Sequence, residues 1–264
     1  MTELAFIRQA LDEMAIFVRG KYAMRDGVRV TSKKEANDLL TEVDLAVQEE
    51  LVSQIRAHFP GDAIFAEEAG FNEAPADRDG RTWLIDPIDG TQNFVRGLFP
   101  AYGISLAFAM GGRSVAGGVA VPGKGELYLA ERGSGAFRNG EHLRVSDIAT
   151  AGHARAEIDF SCPADRTNTL MRFAPLIEEI GQVRCHCAAV IGLCSIATGD
   201  MDAYVHVTLN AYDYAAAMLI VEEAGGRVTR LDGSPIHFFD GRPGVLGTNG
   251  AIHEELITVI ARGR

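Results

Sequence analysis

The segment WLIDPIDGTQNF, residues 83–94, constrains this chain more than any other. The apolar run Trp83 to Ile85 reads as a short buried strand that delivers Asp86 to its end. Pro87 has no N–H to give a ladder, so the segment is not expected to continue as an internal strand. Asp89, Gly90 and Thr91 then fall in a tight turn. Two carboxylates three residues apart on a sharp turn can face one point, and oxygen ligands gathered there suit Mg²⁺ or Mn²⁺. If the amides of Gly90 and Thr91 open a helical turn, they also face an anion. An Asp-rich loop closed by an Asx turn accounts for the same residues without any chemistry.

The flanking pattern predicts helix and sheet in stacked layers. A first helix covers Leu4 to Tyr22. A second follows Thr41, where Val43, Val47, Leu51, Ile55 and Phe59 form an apolar stripe at i+4 spacing. Thr41 and Asp44 have the spacing of a capping box, and Pro60-Gly61 ends the helix. Ala63 to Ala66 is a strand that runs into Glu67-Glu68, a pair that a solvated turn would also explain. Ile104–Met110, Ser114–Val121, Glu126–Glu131 and Gly135–Arg138 read as an antiparallel meander with glycine-rich turns. Beyond it, strands (Ala156–Phe160, Val183–His186, Ala203–Val207, Arg227–Thr229, Gly244–Leu246) alternate with helices (Thr169–Ile180, Ala188–Ala197, Tyr212–Ala224, Ile252–Ile260). This order predicts a layered α/β fold of the α+β type. A boundary near Ser146 divides an N-terminal half, 1–146, from a C-terminal half, 147–264.

Composition narrows the function. Of 264 residues, 47% are apolar and 23% charged, as in an ordinary globular protein with a large core. No run approaches the ~18 apolar residues of a membrane span. The opening MTELAFIRQALDEMA reads as an amphipathic helix rather than a signal peptide, so a cytoplasmic location is expected. The formal net charge of −11 argues against nucleic-acid binding, which needs a cationic footprint. An acidic protein acting on an anion would need bound cations to make its site locally positive. The four cysteines are Cys162, Cys185, Cys187 and Cys194. Cys185 and Cys187 are separated by one residue, and no second Cys/His pair follows at zinc spacing. Reduced, buried structural thiols are expected, with a zinc site as the alternative.

Asp213 opens the helix AYDYAAAMLIVEEAGG, where the helix dipole alone rewards an acid by ~0.3–1 kcal/mol. No single acid is decisive. Together they resemble the inositol monophosphatase family of lithium-sensitive, magnesium-dependent phosphatases. The resemblance runs through DLLTEVD (38–44), AEEAG (66–70), WLIDPIDGTQNF (83–94), ERGSGAFRNG (131–140), ATGDMDAY (197–204) and YDYAAAMLIVEEAGG (212–226). It implies an αβαβα five-layer sandwich of the sugar-phosphatase type, a homodimer, and hydrolysis of a small phosphate monoester resembling inositol 1-phosphate. It also implies two or three Mg²⁺ per site, with Mn²⁺ able to substitute. Glu67, Asp86 and the carbonyl of Ile88 would hold the first ion. Asp86 would bridge to a second, shared with Asp89 and Asp213, and a third would lie near Glu67. Asp44 and Thr91, with Glu67, would serve the attacking water. Asp89, Gly90, Thr91, Ala188, His206 and Asp213 would contact substrate. The cations have a physical rationale, since two carboxylates ~4 Å apart repel by ~4 kcal/mol at an effective dielectric of about 20.

The sequence departs from the family on the substrate side. Tyr212 replaces the common Trp, as in some histidinol-phosphate phosphatase relatives. His206 stands where an acidic residue touches the sugar ring, and Cys187-Ala188-Ala189 replaces a G-T/S-A run. Histidinol phosphate, a sugar phosphate, fructose 1,6-bisphosphate and a 3′-phosphoadenosine nucleotide are therefore alternative substrates. A regulatory protein that keeps the fold is the non-enzymatic alternative.

Overall fold

The computed structural model describes residues 1–24, 27–32, 39–71, 74–97, 100–160 and 166–263. Asp38 and Cys162 lie outside the described residues. The chain opens with helix α1 (Glu3–Ala23), a short antiparallel pair β1 (Val30–Ser32) and β2 (Leu39–Thr41), and helix α2 (Glu42–His58). Strands β3 (Ala63–Ala66) and β4 (Thr82–Asp89) lead into the short helix α3 (Thr91–Arg96). The meander follows as β5 (Gly103–Met110), β6 (Arg113–Val121), β7 (Glu126–Glu131), β8 (Ala136–Arg138) and β9 (Glu141–His142). These strands form a seven-stranded sheet in sequence order β3 to β9. Every pair in it is antiparallel except β3 with β4.

The rest of the chain is β10 (Arg155–Ile158), α4 (Arg166–Glu179), β11 (Gln182–Arg184), α5 (Ala189–Ala197), β12 (Ala203–His206), α6 (Ala211–Glu223), β13 (Arg227–Arg230), β14 (Val245–Thr248) and α7 (His253–Ile260). Its five strands are ordered β11-β10-β12-β14-β13. Strands β11, β10 and β12 are mutually parallel, while β14 runs against β12 and β13.

Strand alternation sorts the side chains into layers. Trp83 and Ile85 join the core under α1 and α2, while Leu84 faces the opposite core with α5 and α6. In the second sheet Tyr204 faces α5 and α6, whereas Ala203 and Val205 pack with α4 and α7. The order is therefore α1/α2, seven-stranded sheet, α5/α6, five-stranded sheet, α4/α7, the expected five-layer sandwich. Helix α6 lies in the middle layer and is apolar all round, as a fully enclosed helix must be. From Ala211 to Val221 only Asp213 is not buried. No described helix is long and apolar enough to cross a membrane.

Strand β4 corrects one expectation, because it continues through Pro87 to Asp89. The neighbour β3 pairs only as far as Ile85, so Pro87 lies beyond it, where a missing N–H breaks no ladder on that side. On the other side the register with β5 shifts, with Asp86 opposite Ser105 and Asp89 opposite Gly103. Three steps along β4 oppose two along β5, which is a β-bulge. The β1/β2 pair and the two-residue β9 were not expected, being too short to show a period-2 pattern.

Candidate active site

Strands β3 and β4 end side by side. The Glu67 amide donates to the Ile85 carbonyl at 3.1 Å, carrying the parallel pairing one residue past β3. Glu67 and Asp86 thus leave the same edge of the sheet. In a regular strand Asp86 and Asp89, three apart, would face opposite sides. The bulge adds the residue that returns them to one side.

Asp44 reaches the cluster from the first turn of α2 and is completely buried. Its Oδ2 accepts from the Thr41 amide at 3.0 Å and from the Thr41 hydroxyl, so the expected capping box forms. Its Oδ1 faces the Thr91 hydroxyl at 3.2 Å, and that hydroxyl is also 2.9 Å from the Ile88 carbonyl. Asp213 is the third residue of α6 and accepts from the Asn210 amide at 2.7 Å through Oδ2. The start of α6 is tied to β5 by the Ser105 hydroxyl, which donates to the Tyr212 carbonyl at 3.3 Å.

Gly90 has φ +83° and caps α3. A Cβ there would stand 2.8 Å from the Ala101 carbonyl oxygen and 3.1 Å from the Ala188 Cβ, so only glycine fits. This close approach seats Ala188, the residue before α5, against the turn. The α5 amide of Val190 then donates to Asp89 Oδ2 at 2.7 Å. Asn93 fastens the same region, with its Nδ2 donating to the carbonyls of Ala101 and His186, each at 2.7 Å.

The electrostatics show a cluster that is not at ease as anions. Burial pushes Asp86 well above the usual carboxylate range, and the charges of Glu67, Asp89 and Asp213 push it further. Asp89 is raised chiefly by burial and by Asp213, against the lowering effect of the Val190 and Ala189 amides. Burial lifts Asp44 to about 6, opposed by its bonds from Thr41. Asp86 Oδ1 is buried without a hydrogen-bond partner. An acceptor of this kind amid converging oxygens fits a hard divalent cation, whose binding satisfies the acceptor and offsets the repulsion.

Five sequence-expected acids, Asp44, Glu67, Asp86, Asp89 and Asp213, therefore meet with Ile88, Gly90, Thr91 and Ala188. The ring nitrogens of His206 turn to other partners. Its Nδ1 accepts from the Thr208 amide at 3.1 Å, and its Nε2 faces Asp159 Oδ2 at 4.0 Å. Burial lowers its pKa, while Asp159 opposes the shift.

Beside His206 stands a second group, of which sequence reasoning weighed the cysteines but missed Glu157 and Asp159. Glu157 is fully buried, and its two oxygens hold the His186 amide at 3.0 Å and His186 Nδ1 at 2.7 Å. Asp159, Cys185 and Cys187 gather next to it. Acids at 157 and 159 in an otherwise apolar strand were the available signal. Cys194 is buried, as a structural thiol should be, but Cys185 and Cys187 are partly exposed and face each other at 3.5 Å. The expectation of buried thiols is thus corrected for that pair.

Five layers that enclose a carboxylate cluster at the ends of β3 and β4 and the starts of α2, α3 and α6 suit a cation-assisted phosphatase of the layered α/β class. The chain matches the inositol monophosphatase family over residues 2–263, and it belongs to that family. It is 36% identical over 236 residues to the fructose-1,6-bisphosphatase/inositol-1-monophosphatase of Thermotoga maritima, covering 88% of this chain and 86% of that protein. It is 36% identical over 248 residues to the histidinol-phosphatase of Chlorobaculum parvum, covering 92% and 90%. Among solved structures, the extragenic suppressor protein suhB of Bartonella henselae superposes with a TM-score of 0.90 at 26% identity, covering 98% of each chain. The family is generally metal-dependent.

Proposed function

We propose that this protein hydrolyses a small phosphate monoester, of the inositol 1-phosphate kind, with Mg²⁺ and releases inorganic phosphate. The observation that carries the reading is the bulge in β4, which brings Asp86 and Asp89 to one side beside Glu67. Glu67, Asp86, Asp89, Asp213 and the Ile88 carbonyl are the groups that would hold two or three Mg²⁺, with Mn²⁺ as a substitute. When bound, such ions lower the pKa of water and offset charge on the phosphate and leaving oxygen.

The remaining work falls to the chain. Thr91, fixed between Ile88 and Asp44, is placed to accept a hydrogen bond from the attacking water. Asp44, with a pKa near 6, is matched to take up a proton close to neutral pH. Gly90 and Thr91 begin α3, where the first amides of a helix lack intrahelical acceptors, and these would cradle the phosphate. Ala188, Asp213 and His206 would border the leaving alcohol. The two halves, 1–146 and 147–264, would close the site between them, and two chains would form a homodimer. Lithium would inhibit by competing for a cation position.

A phosphate-release screen over small phosphate monoesters, in Mg²⁺ with and without Li⁺, tests this reading. Release from none of them would overturn it. Histidinol phosphate merits a place in the panel because Tyr212 replaces the family's Trp and a histidinol-phosphatase matches over most of its length.

A further inference from the structure

We propose that Asp159, Cys185 and Cys187 form a separate metal site that takes one thiophilic divalent ion of the Zn²⁺ class. Both Sγ atoms and one Asp159 oxygen lie within 4.8 Å of one another. The two sulfurs are 3.5 Å apart, well beyond the ~2.0 Å of a disulfide. A tetrahedral zinc with Zn–S near 2.3 Å and Zn–O near 2.1 Å sets its sulfurs about 3.8 Å apart and each sulfur about 3.6 Å from the oxygen. The sulfurs need open by only a few tenths of an ångström. Two thiolates and a carboxylate select a softer ion than the all-oxygen cluster does.

The one-residue spacer that argues against zinc in the sequence is answered by the backbone. Cys187 has φ +57°, a left-handed conformation that side-chain-bearing residues other than Asn and Asp seldom adopt. Among the described non-glycine residues only Asn139 shares a positive φ. The turn at Cys187 supplies the reversal that a longer spacer normally gives. Strain held at a residue that brings a second sulfur to a first points to a site.

The same strand supplies both a ligand and a clamp. Glu157 and Asp159, two residues apart on β10 and its extension, share a face. Asp159 is fixed by its amide, which donates to the Val205 carbonyl at 3.1 Å. Glu157 grips the amide and ring of His186, the residue between the two cysteines. His206 uses Nδ1 as acceptor for Thr208, which leaves its ring proton on Nε2, facing Asp159. At 4.0 Å the ring is a charge-complementary neighbour of the carboxylate rather than its hydrogen-bond donor, and a three-residue set leaves a fourth coordination position for solvent. Partial exposure of both cysteines leaves a path for the ion.

The test is titration of the reduced, metal-stripped full chain with Cd²⁺, and with Zn²⁺ in competition, in excess Mg²⁺ to keep the carboxylate cluster filled. A thiolate-to-cadmium charge-transfer band that saturates at one equivalent is expected. It should vanish in Cys185→Ser and in Cys187→Gly, and persist in Cys194→Ser and Asp89→Asn. Asp159→Asn should weaken binding by at least about tenfold. Cys187→Gly suits φ +57°, so its melting temperature should equal or exceed the wild type's while the band is lost, which separates loss of the site from loss of the fold. The proposal is overturned by a wild type that shows no band, by a band of unchanged affinity in Cys185→Ser, Cys187→Gly or Asp159→Asn, or by a Cys185–Cys187 disulfide that forms in place of the complex.

Discussion

The Thr91 hydroxyl stands between Asp44 Oδ1, at 3.2 Å, and the Ile88 carbonyl, at 2.9 Å, and so joins α2 to the turn after β4. A hydroxyl has one proton and two lone pairs, so it serves one of these acceptors while its lone pairs remain for an incoming donor. Thr91→Val keeps the shape and removes the hydroxyl. It should lower kcat by about a hundredfold or more, the usual scale of general-base catalysis, because the water would lose its link to Asp44. Thr91→Ser should retain most of the activity. Steady-state kinetics of the two variants decide it, and equal kcat in Thr91→Val and wild type would remove Thr91 from the mechanism.

The same pair gives a pH dependence with a definite sign. Burial raises Asp44 in the folded chain from the ordinary 3.8 to about 6. Between these values the folded state binds the proton and the unfolded state does not, so stability falls as pH rises. Above pH 6 the ionised Asp44 costs about 3 kcal/mol, relieved as pH falls towards 4. Metal-free wild type should therefore be less stable than metal-free Asp44→Asn at about pH 7.5, and the gap should close near pH 4.5. Urea unfolding of both proteins in chelator measures it. A gap independent of pH would show that Asp44 does not carry this linkage.

Much of this site was legible because its residues sit at element ends, where local rules leave marks. Thr41 and Asp44 announced a capping box, and it forms. The run from Ala63 announced a strand of the observed length, ending at Ala66 just before Glu67. The bulge at Pro87 was not legible, because it depends on where β3 stops and how β5 is registered, and neither is local to 83–94. Nor could sequence show that His206 turns to Asp159 and Thr208, or that Cys187 takes a left-handed conformation. Those are tertiary facts, set by β10 and β12 lying side by side.

Metal dependence should appear as a trade between stability and function. Asp89 Oδ2 accepts the Val190 amide, a bond that an asparagine oxygen can keep. Asp89→Asn should lower turnover by orders of magnitude, yet leave the metal-free fold equally or more stable, since it removes repulsion with Asp213 and Glu67. Saturating Mg²⁺ should stabilise wild type by ~2.7 kcal/mol at 100 times the dissociation constant, and the variant by less. Excess EDTA should abolish turnover, Mg²⁺ or Mn²⁺ should restore it, and Ca²⁺, with its looser coordination, should inhibit. Full activity in EDTA, or a metal-free variant that melts well below metal-free wild type, would assign Asp89 a structural role instead.

Substrate preference should depend on His206. The phosphate end of any substrate would meet the same acids, so selection must come from groups near the leaving alcohol. His206 ends β12, and the segment from it to Asn210 leads directly to Asp213 on α6. Its lowered pKa keeps it neutral near pH 7, with Nδ1 used by Thr208 and Nε2–H turned towards Asp159. A neutral donor there accepts no hydrogen bond from a polyol, so hydroxyl-poor or anionic leaving groups are tolerated. His206→Glu restores an acceptor for a ring hydroxyl but sets a second carboxylate against Asp159. His206→Gln changes the hydrogen-bonding pattern without that charge and controls for it. His206→Glu should raise the ratio of kcat/KM for inositol 1-phosphate over glycerol 2-phosphate by more than about twofold, or ~0.4 kcal/mol of differential transition-state binding. A ratio that stays within that bound in both variants would make His206 a histidine satisfied at a strand end, with no part in selection.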